Sequence, residues 1–128
     1  MFITVFTPTF NRAHLLPRLY HSLLDQTCSD FEWVVVDDES QDNTDAVINE
    51  FQNSEHSFPI RYYKQPHGGK HRAMNLAVRE AKGKFFFTVD SDDWLPDDAV
   101  ETVIRWLKVS WTYRIYAVLQ DKRCFRMG

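Results

Sequence analysis

Two stretches of the sequence crowd carboxylates together. Asp90, Asp92 and Asp93 follow the apolar run 85–89, with Asp97 and Asp98 close behind, while Asp37, Asp38, Glu39, Asp42 and Asp45 follow the run 31–36. Like charges this close repel one another unless something positive offsets them, and a divalent cation is the natural counter-ion. The Asp-Ser-Asp spacing suits that chemistry. On an extended strand end, residues i and i+2 point to the same side, so Asp90 and Asp92 face one site. Two converging carboxylates hold Mg2+ or Mn2+ and leave positions open for substrate phosphates. The alternative is that both acidic runs are solvated loops at helix starts, where the helix dipole favours acids, and this fits Asp97 and Asp98 best. Two further polar clusters, Thr7-Pro8-Thr9 and His67-Gly68-Gly69-Lys70, sit at turns. The second opens a helix, whose N-terminal amides favour anions. His67 and His71 lack metal-ligand spacing and read as exposed loop residues.

The segments that must position these groups are legible from apolar periodicity. Residues 2–6 are a short β-branched and aromatic run that reads as a buried strand ending in the Thr7-Pro8-Thr9 turn. Asn11 stands where a helix cap belongs, and Leu16, Leu19, Tyr20 and Leu23 follow at helical spacing to about Asp25. Residues 31–36 form a second strand, after which Ser40 or Asp42 can cap a helix carrying Ala46, Val47 and Phe51. Residues 60–63 read as a short third strand, and 66–70 as a flexible loop. Ala73, Ala77, Val78 and Ala81 then share one helix face, with Asn75 a loop-bracing hydrogen-bonder, and Gly83 stops the helix. Residues 85–89 are a fourth strand, and Pro96 suits the first turn of a helix holding Val100, Val103, Ile104 and Leu107.

A β-α-β-α-β-α-β-α order with nearly continuous apolar strands implies an α/β fold: a mostly parallel, Rossmann-like sheet with helices on both faces. Ligands of such sheets bind outside the carboxyl ends of the strands, where the polar clusters fall. The chain has 128 residues, 44% of them hydrophobic and 26% charged, which suits one globular domain with a real core. A net charge of -3 argues against a nucleic-acid binder, whose footprint is a basic patch. No apolar run approaches the roughly 20 residues that span a bilayer. The N-terminus has no signal-peptide pattern, and Cys28 and Cys124 form no metal spacing or disulfide framework. These features place the chain in the cytoplasm, with at most a peripheral contact at the inner membrane face. Residues 1–107 form the domain. Residues 108–128 read as an atypical or truncated continuation, with a possible strand at 113–119.

The motifs also resemble a known family. Residues 5–12 with Leu23-Leu24-Asp25-Gln26-Thr27, residues 31–44, the block with Gly68, Gly69, Lys70, Ala73, Asn75 and Ala77, and Asp90-Ser91-Asp92-Asp93 are similar, in that order, to the nucleotide-sugar-binding part of the family 2 glycosyltransferases of GT-A fold. Each block is weak alone; together, over about 2–107, they are specific. The resemblance implies that Thr7 and Pro8, with Thr9 beside them, line the base pocket, and that Asp38 hydrogen-bonds the nucleotide base, usually uracil. Asp90 would contact the ribose or the metal. Asp92 would ligate the Mn2+ or Mg2+ bridging the diphosphate, with Asp93 able to substitute. Lys70 would lie near the base or phosphates, or else be a solvated loop lysine, and Arg12 is a further candidate for the phosphates.

The implied reaction moves a sugar from a UDP-sugar to an acceptor hydroxyl with inversion, the cation acting as Lewis acid and an acceptor-side carboxylate as general base. The acceptor would be a glycan or a lipid-linked glycan in polysaccharide or glycoconjugate synthesis, and self-association is compatible with an uncovered sheet edge. In the family the base follows the metal motif in an acceptor half that the sequence does not reach. Asp121 is the only acid in 108–128, and nothing around it matches. The expectation is therefore a donor site without its general base, and the competing reading is a non-catalytic nucleotide-sugar-binding fragment or paralogue. An aspartyl-phosphate phosphotransferase would need its nucleophile after the first strand, where Thr7-Pro8-Thr9 stands. A dinucleotide oxidoreductase would need a G-x-G-x-x-G there.

Overall fold

The computed structural model describes residues 1–109. The expected strand at 113–119, Cys124 and Asp121 lie outside the described residues. The elements are β1 (Ile3–Thr9), α1 (Leu16–Leu24), β2 (Phe31–Asp37), α2 (Thr44–Asn53), β3 (Ile60–Lys64), α3 (Gly69–Glu80), β4 (Phe85–Thr88) and α4 (Ala99–Val109). The strands form one sheet in the order β3-β2-β1-β4, all parallel. The chain steps outward from β1 to β2 to β3, then returns past β1 to lay down β4. Crossovers of one hand therefore put α1 and α2 on one face and α3 on the other.

Alternation along each strand assigns the two cores. Ile3, Val5, Phe31, Trp33, Val35 and Phe87 face α1, α2 and α4, where Leu16, Leu19, Tyr20, Leu23, Ile48, Phe51, Val100 and Ile104 complete the larger core. Tyr20 stacks on Phe51 with ring centroids 4.0 Å apart. Phe6, Val34 and Val36 point to the opposite face and meet Ala73 and Ala77 of α3. Two alanines leave no bulk between helix and sheet, so α3 lies close against β1 and β2. Val78, expected on that face, is instead exposed, as is Asn75, which has no hydrogen bond to a loop among the described residues.

Several expected caps are replaced by longer-range contacts. Asn11 is not a helix cap, because α1 begins at Leu16. It adopts a left-handed φ of 52°, which its short polar side chain tolerates. Its Oδ1 accepts the Gln41 N–H (2.7 Å), and its own N–H donates to Ser40 Oγ (2.8 Å). Ser40 does not cap α2 either; its N–H donates to Asp37 Oδ1. Asp42, just outside α2, accepts the Thr44 N–H (3.1 Å) on Oδ1 and the Ala13 N–H (3.1 Å) on Oδ2, which ties residues 11–13 to the β2–α2 turn. Gly83 does not end α3, which stops at Glu80 with an extended Ala81. A Cβ at Gly83 would lie 2.5 Å from Thr4 N and 2.6 Å from Ile3 C, so crowding against β1 demands the glycine. Pro96 precedes α4 by a turn, its carbonyl accepting the Ala99 N–H (3.1 Å).

The amino ends of the strands are locked by a buried charge. Glu32 is fully buried, and its carboxylate accepts Thr4 Oγ1 (2.7 Å), the Lys82 N–H (2.6 Å) and Arg61 Nε and NH2 (2.9 and 2.6 Å). Arg61 NH2 also donates to the Glu80 carbonyl (2.5 Å), so one ion pair joins β1, β2 and β3 to the end of α3. Burial pushes the Glu32 carboxyl up, but the Thr4, Lys82 and Arg61 donors outweigh it and hold it below its ordinary value of 4.5.

Removing Glu32 leaves Arg61 without its counter-charge and the Thr4 hydroxyl and Lys82 N–H without their acceptor. Glu32→Ala is expected to lower the unfolding free energy by about 3–5 kcal/mol, read by urea titration at neutral pH. A depressed folded-state pKa gives stability that is full above 4.5 and lost as pH falls through the folded value. The wild type should therefore lose stability more steeply than the variant on acidification below that point.

Candidate functional site

The parallel register carries the carboxyl ends of β1, β2 and β4 to one rim of the sheet, with β1 central. A cleft of about 340 Å³ opens there, lined by Pro8, Thr9, Phe10, Arg12, Asp38, Gly69, Lys70, Ala73, Asp90, Ser91 and Asp92. It lies at the β1–β4 boundary, where the strand order reverses, the crevice in which open α/β sheets bind ligands. Asp38 and the acidic turn after β4, about fifty residues apart in the sequence, thus share one space.

Asp38 is built into the wall of that cleft. It is 8% exposed, and its Oδ1 accepts Gln65 Nε2 (2.9 Å) and the Gly68 N–H (2.8 Å). The Gly69 N–H reaches Oδ2 (3.2 Å), and His67 Nδ1 lies 2.9 Å from the same oxygen. Helix α3 has no side-chain cap from its own N-cap residue, Gly68, so Asp38 caps it from the end of β2. Gly69 takes a left-handed φ of 84°, open to glycine at no steric cost. Burial pushes the Asp38 carboxyl up, but the Gln65 amide, the Gly68 and Gly69 N–H groups and His67 together hold it below the usual carboxylate range. His67 is therefore more than a loop residue: it pairs with Asp38, and its ring packs on Phe10 with centroids 5.6 Å apart. Lys70, placed by sequence in a loop, sits in the first turn of α3.

The acidic residues converge by a different route from the one their spacing suggests. β4 ends at Thr88, and the Asp93 N–H donates to the Asp90 carbonyl (3.0 Å), closing a turn. The turn, rather than strand alternation, gathers Asp90, Asp92 and Asp93 so that one oxygen of each lies within 4.8 Å of the others. Burial, with Asp92 and Asp90 beside it, pushes the Asp93 carboxyl up, against a smaller opposing pull from Arg18. Three hard oxygen donors gathered in one turn form a donor set suited to Mg2+ or Mn2+. Three cations face the turn. Lys70 Nζ is 3.1 Å from Asp90 Oδ1, and Arg12 NH1 is 4.0 Å from Asp92 Oδ2. Arg18 NH2 donates to the Asp92 carbonyl (2.8 Å) while its guanidinium lies 4.1 Å over the Trp94 ring.

Of the expected site residues, Pro8, Thr9, Asp38, Lys70, Asp90 and Asp92 line the cleft, and Asp93 joins the carboxylate cluster. Thr7 does not line it. Its side chain is fully buried on the α1–α2 face, where its Oγ1 accepts Trp33 Nε1 (2.9 Å). Thr9 is 4% exposed, and its buried Oγ1 has no partner among the described residues. Sequence reasoning passed over Phe10, Gln65 and Arg18. Phe10 and Gln65 each directly follow a strand, a signal that the strand-end rule contains. Arg18 lies on an amphipathic helix with no local sign of its distant partner.

Comparison with known proteins places this geometry. The family model for glycosyl transferase family 2 matches residues 4–120. A chondroitin synthase from Pasteurella multocida (strain Pm70) is 37% identical over 103 residues, which is 80% of this chain and 10% of that protein. A UDP-Glc:alpha-D-GlcNAc-diphosphoundecaprenol beta-1,3-glucosyltransferase from Escherichia coli is 30% identical over 122 residues, 93% of this chain and 47% of that one. The chain thus spans from about a tenth to about half of these relatives. Among solved structures, S. aureus TarS 1-349 in complex with UDP-GlcNAc superposes with a TM-score of 0.78 at 28% identity, covering 84% of this chain and 31% of that one. The Pyrobaculum calidifontis mannosyltransferase PcManGT in complex with GDP-Man and Mn2+ gives 0.76 at 28% identity, over 82% of this chain and 32% of that one.

Asp38 acts on α3 before any ligand arrives. Asp38→Ala removes the acceptor of the Gly68 and Gly69 amides and of Gln65, and is expected to cost about 1–3 kcal/mol of stability, measured by chemical denaturation. Glu39→Ala, which removes a single exposed acceptor of the His67 N–H, should cost less than half as much.

Proposed function

Because this chain belongs to glycosyl transferase family 2, we propose that it holds a UDP-sugar in the cleft at the carboxyl rim of the sheet and serves the transfer of that sugar to an acceptor hydroxyl. The observation that carries this reading is the shared cleft, lined by Asp38 after β2 and by Asp90 and Asp92 after β4. A nucleotide diphosphate needs such a division: one end that recognises a base and another that neutralises a pyrophosphate. Asp38 takes the base end. Its Oδ2, held by fewer donors than Oδ1, accepts an imide N–H of uracil, and Phe10, 45% exposed at the same rim, offers a ring face. Thr9 lies alongside, its hydroxyl without a partner among the described residues.

Asp92, with Asp90 and Asp93, is the ligand set for Mn2+ or Mg2+, which fits three clustered carboxylates. When bound, the ion supplies counter-charge to the departing diphosphate. Lys70 and Arg12, from α3 and the β1–α1 segment, add positive charge on the same side. Transfer forms a bond from the acceptor oxygen to the anomeric carbon and breaks the bond from that carbon to the diphosphate oxygen, with inversion. The hydroxyl proton passes to a base that we do not assign within residues 1–109. The acceptor we propose is a glycan or a lipid-linked glycan, the classes named in the chondroitin synthase and diphosphoundecaprenol glucosyltransferase relatives. Among the described residues, no helix is long and apolar enough to cross a membrane.

Calorimetric titration of UDP tests the reading. Binding is expected in the micromolar range with Mn2+ and much weaker without it, and Asp92→Ala should weaken it by roughly tenfold or more. Equal affinity with and without the metal defeats the metal assignment. Equal affinity for UDP, GDP and ADP defeats the base-reading role of Asp38.

A further inference from the structure

Lys70 and Asp90 are a close pair inside the cleft that the proposed donor would fill. The Lys70 Nζ sits 3.1 Å from Asp90 Oδ1, and Arg12 NH1 stands 4.0 Å from Asp92 Oδ2. Both carboxylates belong to the three-oxygen cluster suited to a divalent ion. An ammonium on Asp90 and a divalent ion on the same ligand oxygens compete at close range, because like charges a few ångströms apart repel even in a watery environment. The pair is also loose enough to part. Lys70 and Asp90 have side chains 58% and 47% exposed, and exposed ion pairs contribute little. Lys70 is anchored by its backbone in the first turn of α3, a helix pinned to β2 by Asp38, so its flexible four-carbon stem can swing while its base stays in place.

We propose that Lys70, seconded by Arg12, is the resident counter-ion of the acidic turn and transfers from Asp90 to the diphosphate when a divalent ion and nucleotide enter together. This rests on the reading of the cleft as a UDP-sugar site. In the nucleotide-free protein Lys70 offsets the crowding of Asp90, Asp92 and Asp93 and holds the turn ready. A divalent ion entering alone leaves Lys70 and Arg12 without a partner beside a like charge, and binds weakly. The diphosphate supplies the missing negative charge, so that Lys70 and Arg12 donate to its oxygens while the carboxylates turn to the ion. The same side chain thus opposes metal binding to the empty protein and favours nucleotide binding to the metal-loaded one. Those two effects have opposite signs, which no purely structural role of Lys70 produces.

The test removes the charge and keeps the bulk, using the full chain. Mn2+ affinity of nucleotide-free protein is read from the free-ion electron paramagnetic resonance signal, and UDP affinity at saturating Mn2+ by calorimetry. Lys70→Met is expected to tighten Mn2+ binding by roughly three- to tenfold, the scale of a unit charge acting on a dication at short range. It should weaken UDP by roughly ten- to hundredfold. Lys70→Arg, which keeps the charge, should track the wild type in both assays. Lys64→Met, which removes a lysine at the opposite edge of the sheet, where it pairs with Asp45, should change neither. Circular dichroism confirms that each variant is folded. Mn2+ affinity that is unchanged or weaker in Lys70→Met, or an unchanged UDP affinity, overturns the exchange while leaving the donor-site reading intact. A wild-type protein that fails to bind UDP at saturating Mn2+ overturns both.

Discussion

A helix that opens on two glycines has no side chain of its own with which to satisfy its first amides. In this protein the missing acceptor comes from across the sheet: the Asp38 carboxylate receives the Gly68 and Gly69 N–H groups and draws in Gln65 and His67. The position of α3 follows from that contact at one end and from Ala73 and Ala77 against Phe6, Val34 and Val36 along its length. Once α3 is placed, so are Gly69, Lys70 and Ala73, which form one wall of the cleft. A group suited to reading a ligand is therefore also the group that shapes the site. Much of its hydrogen-bonding capacity is already committed, which fixes its orientation in advance and spares the cost of ordering it on binding.

The opposite wall rests on a strained charge distribution. Three carboxylates share a turn, and protonation of Asp93 is favoured by its two neighbours. The arrangement stands because cations approach from three separate elements: Arg12 before α1, Arg18 on α1 and Lys70 on α3. Arg18 grips the turn by its backbone and rests on Trp94, so it steadies the loop without occupying a carboxylate oxygen. Lys70, by contrast, donates to an Asp90 carboxylate oxygen, and Arg12 stands 4.0 Å from one of Asp92.

Stability and chemistry are kept at opposite ends of the sheet. At the amino ends of the strands, Glu32 is buried and saturated with partners, the half-buried Arg61 among them. At the carboxyl ends, Asp38 is buried and held, but Lys70 and Asp90 are a largely exposed pair, and Arg12 and Asp92 are about half exposed. A parallel sheet makes this division natural, since every strand points its carboxyl end to the same rim, and loops there can vary without disturbing the lock at the other.

What the sequence determined alone was the order and type of elements and the rough address of the site. Runs such as 31–36 and 85–89 are nearly continuous in apolar residues, a local property that suits a strand covered on both faces, and the acidic clusters at their ends are visible in the one-dimensional pattern. The tertiary structure decided which side chains meet. Thr7 and Thr9 are two residues apart on the same strand face, yet Thr7 is taken by Trp33 while Thr9 reaches the cleft. Asn11 looks like a cap and instead binds the Ser40–Gln41 turn; Gly83 looks like a helix stop and instead makes room for β1. Asp93 enters the cluster through a turn that strand alternation does not foresee. Each of these depends on a partner tens of residues away or on a single backbone hydrogen bond. Local spacing sets the direction of a side chain relative to its own element, but only the packing of elements sets what it points at.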